Sequence, residues 1–548
     1  MSNNLKKLIA DLLVAEVGRD VIFSLERQEV EGRGDYSSNI ALVRAKVEKR
    51  TPMAVAEDLA WRIKEKYPNV FHAIEPAPPG FLNFYIDYHY LLELLRDLLK
   101  AGAKKKILGK TSPPRRASVE FISANPTGPM HIGNARGGPI GDVIANLLAE
   151  TGYKVIREYY HNDAGAQIAR YADSLWHWYL VVCGKPSTLL EDGYEGQYVR
   201  EFAGAAHKKW KAGLLKKKNG KEMLAEFVID KTLKENFALI KKMGIQFNRV
   251  VYESALTKTK TKKVLAELTR KKLLVKKEGA TWFAYKDVEA VVQKSDGTLV
   301  YFASDIAYHK DKFSRADLVV DELGEGHEGH ISKLRAVADV FGFPQENFKI
   351  VVHGQVTLKK GGEVVSMSKR KGDFVTAREV LDEVGPDAFR YFMLQYAPRS
   401  GMVFDMELAR AKSKENPVYY IQYAHARASG ILLRSDLSVN ITKAAWELLD
   451  SEPELALIKQ ILALSETIED TARDFQLQRL ARYAYELARA FTHFYETTPV
   501  IGAGGSPTSK RKSDFQNLES ARLALVSITR ATLARVCKLM GISSPDKM

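Results

Sequence analysis

Residues 124–138 of the 548-residue chain read ANPTGPMHIGNARGG and place prolines, glycines and one histidine directly before a segment with helical periodicity. A short apolar segment, ASVEFISA (117–124), comes immediately before this stretch. GDVIANLLAETG (141–152) follows it with apolar residues at helical spacing, and YKVIREYYH (153–161) returns to a strand pattern. This order of strand, turn, helix and strand predicts the first unit of a doubly wound parallel sheet.

The turn in front of the predicted helix suits a ligand that carries a phosphate. Backbone N–H groups at a helix N-terminus, together with the helix dipole, attract anions. His131 stands where its ring could bind an oxygen on phosphorus, and Gly128 and Gly133 leave room for a base or ribose. A glycine- and proline-rich turn with an incidental histidine is the alternative, and the turn alone does not decide between the two.

Charge and composition narrow the class of partner. The net charge is +15, from 82 Lys and Arg against 67 Asp and Glu. This excess predicts a polyanionic partner, although solubility alone is an alternative.

No apolar stretch reaches the roughly 18 residues that span a bilayer, and no export signal is recognisable, so we expect a cytoplasmic protein without a membrane partner. Only two cysteines occur and GEGHEGH (324–330) lacks metal-ligand spacing, so we expect no metal site and no structural zinc.

The length predicts several domains. Residues 1–110 alternate helix- and strand-like segments and indicate an α+β domain. Residues 111–405 predict a Rossmann-type α/β domain with a helical insertion at about 165–285. Residues 406–548 show helical patterns almost throughout and predict an all-α bundle. The expected fold class is therefore α/β, with one domain added on each side of the parallel sheet.

Two short motifs and several longer segments resemble one family. NPTGPMHIGNARG (125–137) resembles the HIGH signature of class I aminoacyl-tRNA synthetases in its arginyl-tRNA synthetase form, and SMSKR (366–370) resembles the second signature, KMSKS. Similarity to arginyl-tRNA synthetases continues along nearly the whole chain, notably in GDYSSNIAL (34–42), PGFLNFYI (79–86), REYYHNDAGAQI (157–168) and NPVYYIQYAHAR (416–427).

The resemblance implies an arginine–tRNA ligase that uses ATP with Mg²⁺. It would form arginyl-adenylate and transfer the arginine to the 2′-hydroxyl of the terminal adenosine of arginine tRNA. The N-terminal domain would contact tRNA, the C-terminal bundle would bind the anticodon, and we expect a monomer.

The same resemblance assigns roles to individual residues. It implies catalytic roles for His131, Asn134 and Lys369. It implies ATP binding by these three and by Pro126, Thr127, Gly128, Gly133, Glu325, His327, Met367 and Ser368. It implies binding of L-arginine by Glu120, Ser123, Asn125, Tyr301 and Asp305, and binding of tRNA by Tyr420, Tyr423 and Arg427.

Three positions depart from the family pattern. Asn134 replaces the second histidine of HIGH, Gly326 stands where an aspartate is usual, and Ser366 replaces the first lysine of KMSKS. A catalytically silent RNA-binding relative and a small-molecule nucleotidyltransferase are therefore kept as alternatives. Tyr301 and Asp305 also have a structural alternative, as a packed aromatic residue and a helix N-cap.

Overall fold

The computed structural model describes residues 4–18, 20–28, 32–101, 114–365, 375–435, 441, 444–501 and 509–548. The first part of the chain forms an antiparallel sheet covered by helices. Its strands are β1 Leu25–Arg27, β2 Tyr36–Ser38, β3 Phe71–Ala77 and β4 Phe81–Ile86, in the order β1-β2-β4-β3. Its helices are α1 Leu5–Val17, α2 Ile40–Glu48, α3 Pro52–Lys66 and α4 Tyr88–Ala101. Helix α3 begins where the Thr51 side chain accepts a hydrogen bond from the Ala54 N–H and proline takes the first helical position.

Eleven further strands follow in the described residues. They are β5 Arg116–Glu120, β6 Lys154–His161, β7 Arg249–Tyr252, β8 Leu274–Lys277, β9 Ala280–Tyr285, β10 Val288–Gln293, β11 Leu318–Gly324, β12 Phe348–His353, β13 Val356–Lys360, β14 Glu363–Val365 and β15 Met402–Asp405. Five of them form a parallel sheet in the order β12-β11-β5-β6-β7. Because the chain moves outward from β5 in both directions, the sheet has a switch point between β5 and β11, where such folds bind ligands.

The remaining described helices are α5 Ile132–Glu150, α6 Ala166–Val182, α7 Gln197–Trp210, α8 Gly220–Lys242, α9 Glu253–Leu256, α10 Lys262–Arg270, α11 Tyr301–Arg315, α12 Ile331–Val340, α13 Ala377–Leu394, α14 Met406–Arg410, α15 Pro417–Arg434, α16 Glu452–Asp474, α17 Gln478–Thr497 and α18 Ser509–Met540. A π-helical segment spans Thr257–Thr261, and 3₁₀ segments span Gly213–Lys216, Glu325–His330, Gln345–Asn347 and Trp446–Leu448. Among the described helices, none combines the length and the apolar character needed to cross a bilayer.

The insertion is less helical than the sequence suggested. The insertion begins with three helices, α6, α7 and α8, the last of which ends at Lys242. Strand β7 then joins the edge of the parallel sheet. Strands β8, β9 and β10 form a separate antiparallel sheet. Its buried Phe283 and Val292 pack with Phe302 of α11, which supplies the apolar contact that stabilises these short strands.

The C-terminal part is a bundle of α15, α16, α17 and α18, so the predicted fold class is confirmed. The N-terminal domain rests on α16 through polar contacts. The Tyr36 hydroxyl donates to Glu466 Oε2 over 2.6 Å, and Lys459 Nζ lies 2.6 Å from Asp35 Oδ1. The N-terminal and C-terminal domains therefore meet on one surface.

Two buried arginines connect the parallel sheet to its surroundings. Arg136 in α5 donates to the carbonyl oxygens of Gly354 (2.8 Å), Ser400 (2.7 Å) and Ala397 (3.2 Å), and burial lowers its pKa to about 10. Arg390 in α13 is fully buried. It donates to Asp142 Oδ2 over 2.6 Å. It also donates to the backbone carbonyls of Met243, directly after α8, and Met540, the last residue of α18.

We predict that Arg390→Met lowers the free energy of unfolding by about 3–5 kcal/mol, because Asp142 would lose a cationic partner in the interior. Urea denaturation of the full chain measures this change. The matched control is Arg399→Met, whose partner Glu328 lies 2.9 Å away on the surface and whose loss should cost less than about 1 kcal/mol. Equal, small effects of both substitutions would contradict a structural role for the buried pair.

Candidate functional site

The turn after β5 is held in a strained conformation by side-chain hydrogen bonds. Ile122 and Ser123 have φ angles of 66° and 39°, a region that non-glycine residues seldom adopt. Ser123 Oγ donates to Glu120 Oε1 over 2.9 Å and accepts from the Tyr160 N–H over 3.0 Å. These two bonds join the ends of β5 and β6 and aim the following residues toward the switch point.

His131 is the N-cap of α5. Its Nδ1 accepts a hydrogen bond from the Asn134 N–H over 3.1 Å, so the neutral ring carries its proton on Nε2, where it can donate to a ligand. A Cβ atom at Gly133 would lie 3.0 Å from His131 Cε1, so glycine at this position allows the ring to lie over the first turn. Asn134 therefore contributes through its backbone to the orientation of His131.

The preceding turn, which contains Pro126, Thr127 and Gly128, contacts the helical insertion. A Cβ atom on Gly128 would lie 2.6 Å from Cε2 of Tyr198 in α7. A ring of the protein itself therefore covers this face of the glycine, in contrast to the room for a nucleotide that the sequence suggested. Sequence reasoning missed Tyr198, because nothing in the local pattern of α7 relates it to a turn 70 residues earlier.

A second contact joins the insertion to the same turn. Asn125 Nδ2 donates to Gln167 Oε1 in α6 over 3.0 Å, and Gln167 Nε2 donates in turn to the Tyr194 hydroxyl over 3.3 Å. Asn125 thus connects the turn to the helical insertion.

Three residues of the predicted arginine set converge at this edge of the sheet. Glu120 ends β5, while Tyr301 and Asp305 lie one turn apart on α11. Burial, followed by the charges of Glu120 and Glu253, raises the pKa of Asp305 well above its usual value. The N-cap of α11 is Val300, so the alternative of Asp305 as a helix cap is wrong.

Glu253 is a member of this acidic cluster that sequence reasoning missed. It is buried at the start of α9, directly after β7, and the Asn162 amide nitrogen donates to its Oε2 over 2.6 Å in the orientation that satisfies both groups. Burial, followed by the charge of Asp163, raises the pKa of Glu253 to about 7. Its place after a parallel strand is the signal that could have identified it.

A buried ion network lies beneath the cluster. The Lys312 ammonium has no solvent exposure and binds Glu120 Oε2 and, over 2.6 Å, Asp321 Oδ1. His309 Nε2 lies 2.8 Å from the other Asp321 oxygen. Burial alone would lower the pKa of Lys312, but the charges of Asp321 and Glu120 raise it above its ordinary value. Glu120 is therefore held as a carboxylate between Lys312 and Ser123.

The 3₁₀ segment after β11 forms the opposite side of the crevice. Glu325 Oε1 accepts from Gln355 Nε2 over 3.1 Å, and the rings of His327 and His330 lie 6.1 Å apart. His330 also meets the Tyr301 ring at right angles, with 6.3 Å between centroids. Glu325 and His327 are exposed toward the crevice.

Met367, Ser368 and Lys369 lie outside the described residues. The described chain resumes at residue 375, and Thr376 forms a backbone bridge with His131. The Ala377 N–H donates to the Met130 carbonyl over 2.9 Å. The chain that follows residues 366–374 is therefore joined directly to the histidine turn.

The predicted tRNA residues on α15 separate into two groups. The Tyr420 ring packs inward against Tyr485, with 5.4 Å between centroids. Arg427 donates to the Tyr423 hydroxyl over 2.7 Å, and its guanidinium lies 4.6 Å and 4.8 Å from the ring centroids of Tyr423 and Tyr495. Tyr423, Arg427 and Tyr495 therefore form an aromatic and cationic patch that is partly open to solvent.

Within the described part of the chain, no group of three or more His, Cys, Asp or Glu side chains is placed to hold a metal ion. The acidic cluster at the switch point lies beside an aromatic ring, because Tyr301 contacts Asp305.

Comparison with protein families gives three matches in chain order. Residues 2–86 match the arginyl tRNA synthetase N terminal domain, residues 96–395 match the catalytic domain of tRNA synthetases class I (R), and residues 421–548 match the DALR anticodon binding domain. The parallel sheet, the histidine turn at its switch point and these matches make the chain a class I aminoacyl-tRNA synthetase.

Individual relatives identify the family within this class. The arginine–tRNA ligase of Shouchella clausii is 39% identical over 539 residues, covering 96% of this chain and 94% of the relative. That of Bacillus cereus is 36% identical over 99% of this chain and 97% of the relative. The structure of Thermus thermophilus arginyl-tRNA synthetase shares the fold, with a TM-score of 0.76, 21% identity and coverage of 99% and 100% of the two chains. The chain belongs to the arginyl-tRNA synthetase family.

We predict that Lys312→Met destabilises the protein more at pH 8 than at pH 5.5. Without the ammonium, burial would raise the pKa of the Asp321 carboxyl above its unfolded value. Stability would then be retained below the unfolded pKa and lost as the pH rises through the folded pKa. Thermal unfolding at both pH values measures the difference.

The control for this prediction is Lys286→Met. It removes a surface ion pair in which Lys286 Nζ lies 2.8 Å from Asp339 Oδ2. Its effect should stay below about 1 kcal/mol at either pH. A pH-independent loss of stability in Lys312→Met would show that packing, and not charge, is the contribution of the lysine.

Proposed function

We propose that the chain attaches arginine to arginine tRNA at the switch point between β5 and β11. L-Arginine and the magnesium complex of ATP react to give arginyl-adenylate and pyrophosphate, and the arginyl group then passes to the 2′-hydroxyl of the terminal adenosine with release of AMP. The observation that carries this proposal is the convergence of three buried carboxylates, on Glu120, Glu253 and Asp305, beside the turn that orients His131.

The nucleotide lies along the two sides of the crevice. The arginine carboxylate attacks the α-phosphorus and pyrophosphate leaves, so the groups around the phosphate stabilise charge and need form no covalent bond. His131 donates from Nε2 to an α-phosphate oxygen, and the Asn134 amide adds a neutral donor. Pro126, Thr127, Gly128 and Gly133 shape the turn beneath the nucleotide, and Glu325 and His327 lie on the ribose side. Met367, Ser368 and Lys369 contact the β- and γ-phosphates.

The acidic cluster recognises the guanidinium. Asp305 and Glu253 accept its N–H groups, and the Tyr301 ring borders it at the rim, where this residue is 38% exposed. Burial raises the pKa of both carboxyls, and an entering cation favours their ionised forms. Ser123, Asn125 and Glu120 bind the α-amino and carboxylate end of the amino acid, next to the phosphate.

The outer domains bind the nucleic acid. Residues 1–110 contact the outer corner of the tRNA, residues 111–405 hold both small substrates, and residues 406–548 read the anticodon. The net charge of +15 supports a polyanionic ligand of this size. Within the bundle, the patch of Tyr423, Arg427 and Tyr495 offers ring faces and a cation for an unstacked base. We propose that the enzyme acts in the cytoplasm as a monomer.

The test of the overall proposal is ATP–pyrophosphate exchange that depends on both arginine and tRNA. Dependence on the two together separates this function from a nucleotidyltransferase, which needs no tRNA, and from a silent RNA-binding relative, which gives no exchange. Binding of tRNA without any exchange would reject the catalytic proposal while leaving the nucleic-acid surface intact.

We predict that Asp305→Asn raises the KM for arginine at least about thirtyfold while the KM for ATP stays nearly constant. The substitution removes one of the two acidic partners of a desolvated guanidinium, which costs about 2–5 kcal/mol. Exchange kinetics at varied arginine and at varied ATP measure the two constants.

The control for Asp305 is Asp317→Asn, which removes an exposed carboxylate that accepts from the Arg116 N–H at the opposite end of the sheet. Its arginine KM should remain unchanged. A normal arginine KM in Asp305→Asn, or an equal rise in the ATP KM, would show that Asp305 does not bind the guanidinium.

We predict that Tyr423→Ala weakens binding of arginine tRNA about fivefold to 150-fold, because stacking of a base on an aromatic ring contributes about 1–3 kcal/mol. Filter binding with arginine tRNA measures this effect. Tyr423→Phe keeps the ring and should retain most of the affinity. Normal binding by Tyr423→Ala would show that the patch only packs the bundle.

A further inference from the structure

Tyr159 and Tyr160 are adjacent residues of β6, and their hydroxyl groups differ in hydrogen bonding. Their side chains point to opposite faces of the sheet, as the alternation of a strand requires. The Tyr159 hydroxyl donates to the Ala124 carbonyl over 3.1 Å. The Tyr160 hydroxyl has no hydrogen-bond partner among the described residues, although only 3% of this residue is exposed.

A buried hydroxyl without a partner is costly, so its position calls for a physical reason. The ionisable groups that act on it are those of the proposed arginine pocket. Burial, followed by Asp305, Tyr301, Glu253 and Glu120 in that order, raises the pKa of Tyr160 far above its ordinary value. The hydroxyl is therefore protonated at any working pH and lies among the acidic groups of the pocket.

Neighbouring rings fix the direction of this hydroxyl. The Tyr160 ring lies 5.0 Å from the Tyr308 ring and meets the Tyr301 ring at 89°, with 6.2 Å between centroids. The Tyr160 backbone N–H is bound to Ser123 Oγ, which positions the residue in the turn network. Packing on both sides leaves the phenol little freedom to turn its hydroxyl toward solvent.

We infer that the Tyr160 hydroxyl is a further arginine-binding group, which accepts a hydrogen bond from the guanidinium. This inference rests on the proposed arginine site. A guanidinium presents five N–H donors in one plane, more than the two oxygens of Asp305 can accept. A neutral hydroxyl supplies a further acceptor without adding negative charge to a cluster that already holds three carboxylates.

The role makes Tyr160 a specificity-determining residue. A hydroxyl that gains its partner only with the guanidinium favours ligands with a donor in that position. An amino acid without such a donor would leave the hydroxyl unpaired in the interior, so the pocket discriminates against it.

The decisive experiment compares three variants of the full chain by arginine titration and by exchange kinetics. In Tyr160→Phe we expect the dissociation constant for arginine to rise about fivefold to fiftyfold, the effect of losing one hydrogen bond to a cation. The KM for ATP should stay unchanged and the thermal unfolding midpoint should not fall, because phenylalanine keeps the ring and removes a buried hydroxyl without a partner.

Tyr171→Phe is the matched control. Tyr171 is fully buried in the helical insertion, and its hydroxyl also has no partner among the described residues. Removing it should leave arginine affinity unchanged, so an effect at Tyr160 alone is a property of the pocket and not of buried hydroxyls in general.

Asp305→Asn separates the two levels of the proposal. Weaker arginine binding in Asp305→Asn but not in Tyr160→Phe would overturn the role of Tyr160 and leave the pocket in place. Unchanged binding in both variants would overturn the pocket and this inference together. A lower unfolding midpoint in Tyr160→Phe with equal losses for arginine and ATP would assign the residue to packing.

Discussion

The site depends on one lysine that solvent does not reach. Lys312 joins Glu120 at the end of β5 to Asp321 in β11, the two strands that flank the switch point. An ammonium in the interior is tolerated only with charged partners, so these carboxylates must stay ionised and close together. Glu120 in turn holds Ser123, and Ser123 holds the strained turn that leads to His131. The position of His131 therefore depends on the buried ion pairs of Lys312 with Glu120 and Asp321.

The same site receives connections from three distant parts of the chain. Tyr198 and Gln167 of the insertion touch the turn before His131. Thr376 bridges to His131 itself, just after the second signature segment. Arg136, one turn into α5, binds the carbonyls of the loops beside β13 and β15. A displacement of the insertion or of these loops therefore acts directly on the groups around the phosphate.

The two substrate regions differ in how they are built. The nucleotide side consists of backbone and exposed side chains at a helix start, which can adapt to a ligand. The guanidinium side consists of buried carboxyls whose pKa burial has raised, most clearly Glu253 at about 7. Such a pocket favours a cation because the ligand relieves repulsion among the acids. In the proposed site, selection for arginine and activation by ATP thus depend on two adjacent groups of residues with different physical properties.

By itself, the sequence determined the parallel sheet, the added domains and the histidine turn at the start of a helix. These follow from local periodicity and from short motifs, because strands, turns and helix starts depend on neighbouring residues. Only the tertiary structure decided that Glu253 belongs to the acidic cluster, that Tyr198 covers Gly128, and that Tyr420 packs inward while Tyr495 joins Arg427. Residues 249–252 and 274–285, inside the predicted helical insertion, form strands of two sheets. Each of these outcomes depends on contacts between segments distant in the chain, and burial and charge in the folded protein decide them.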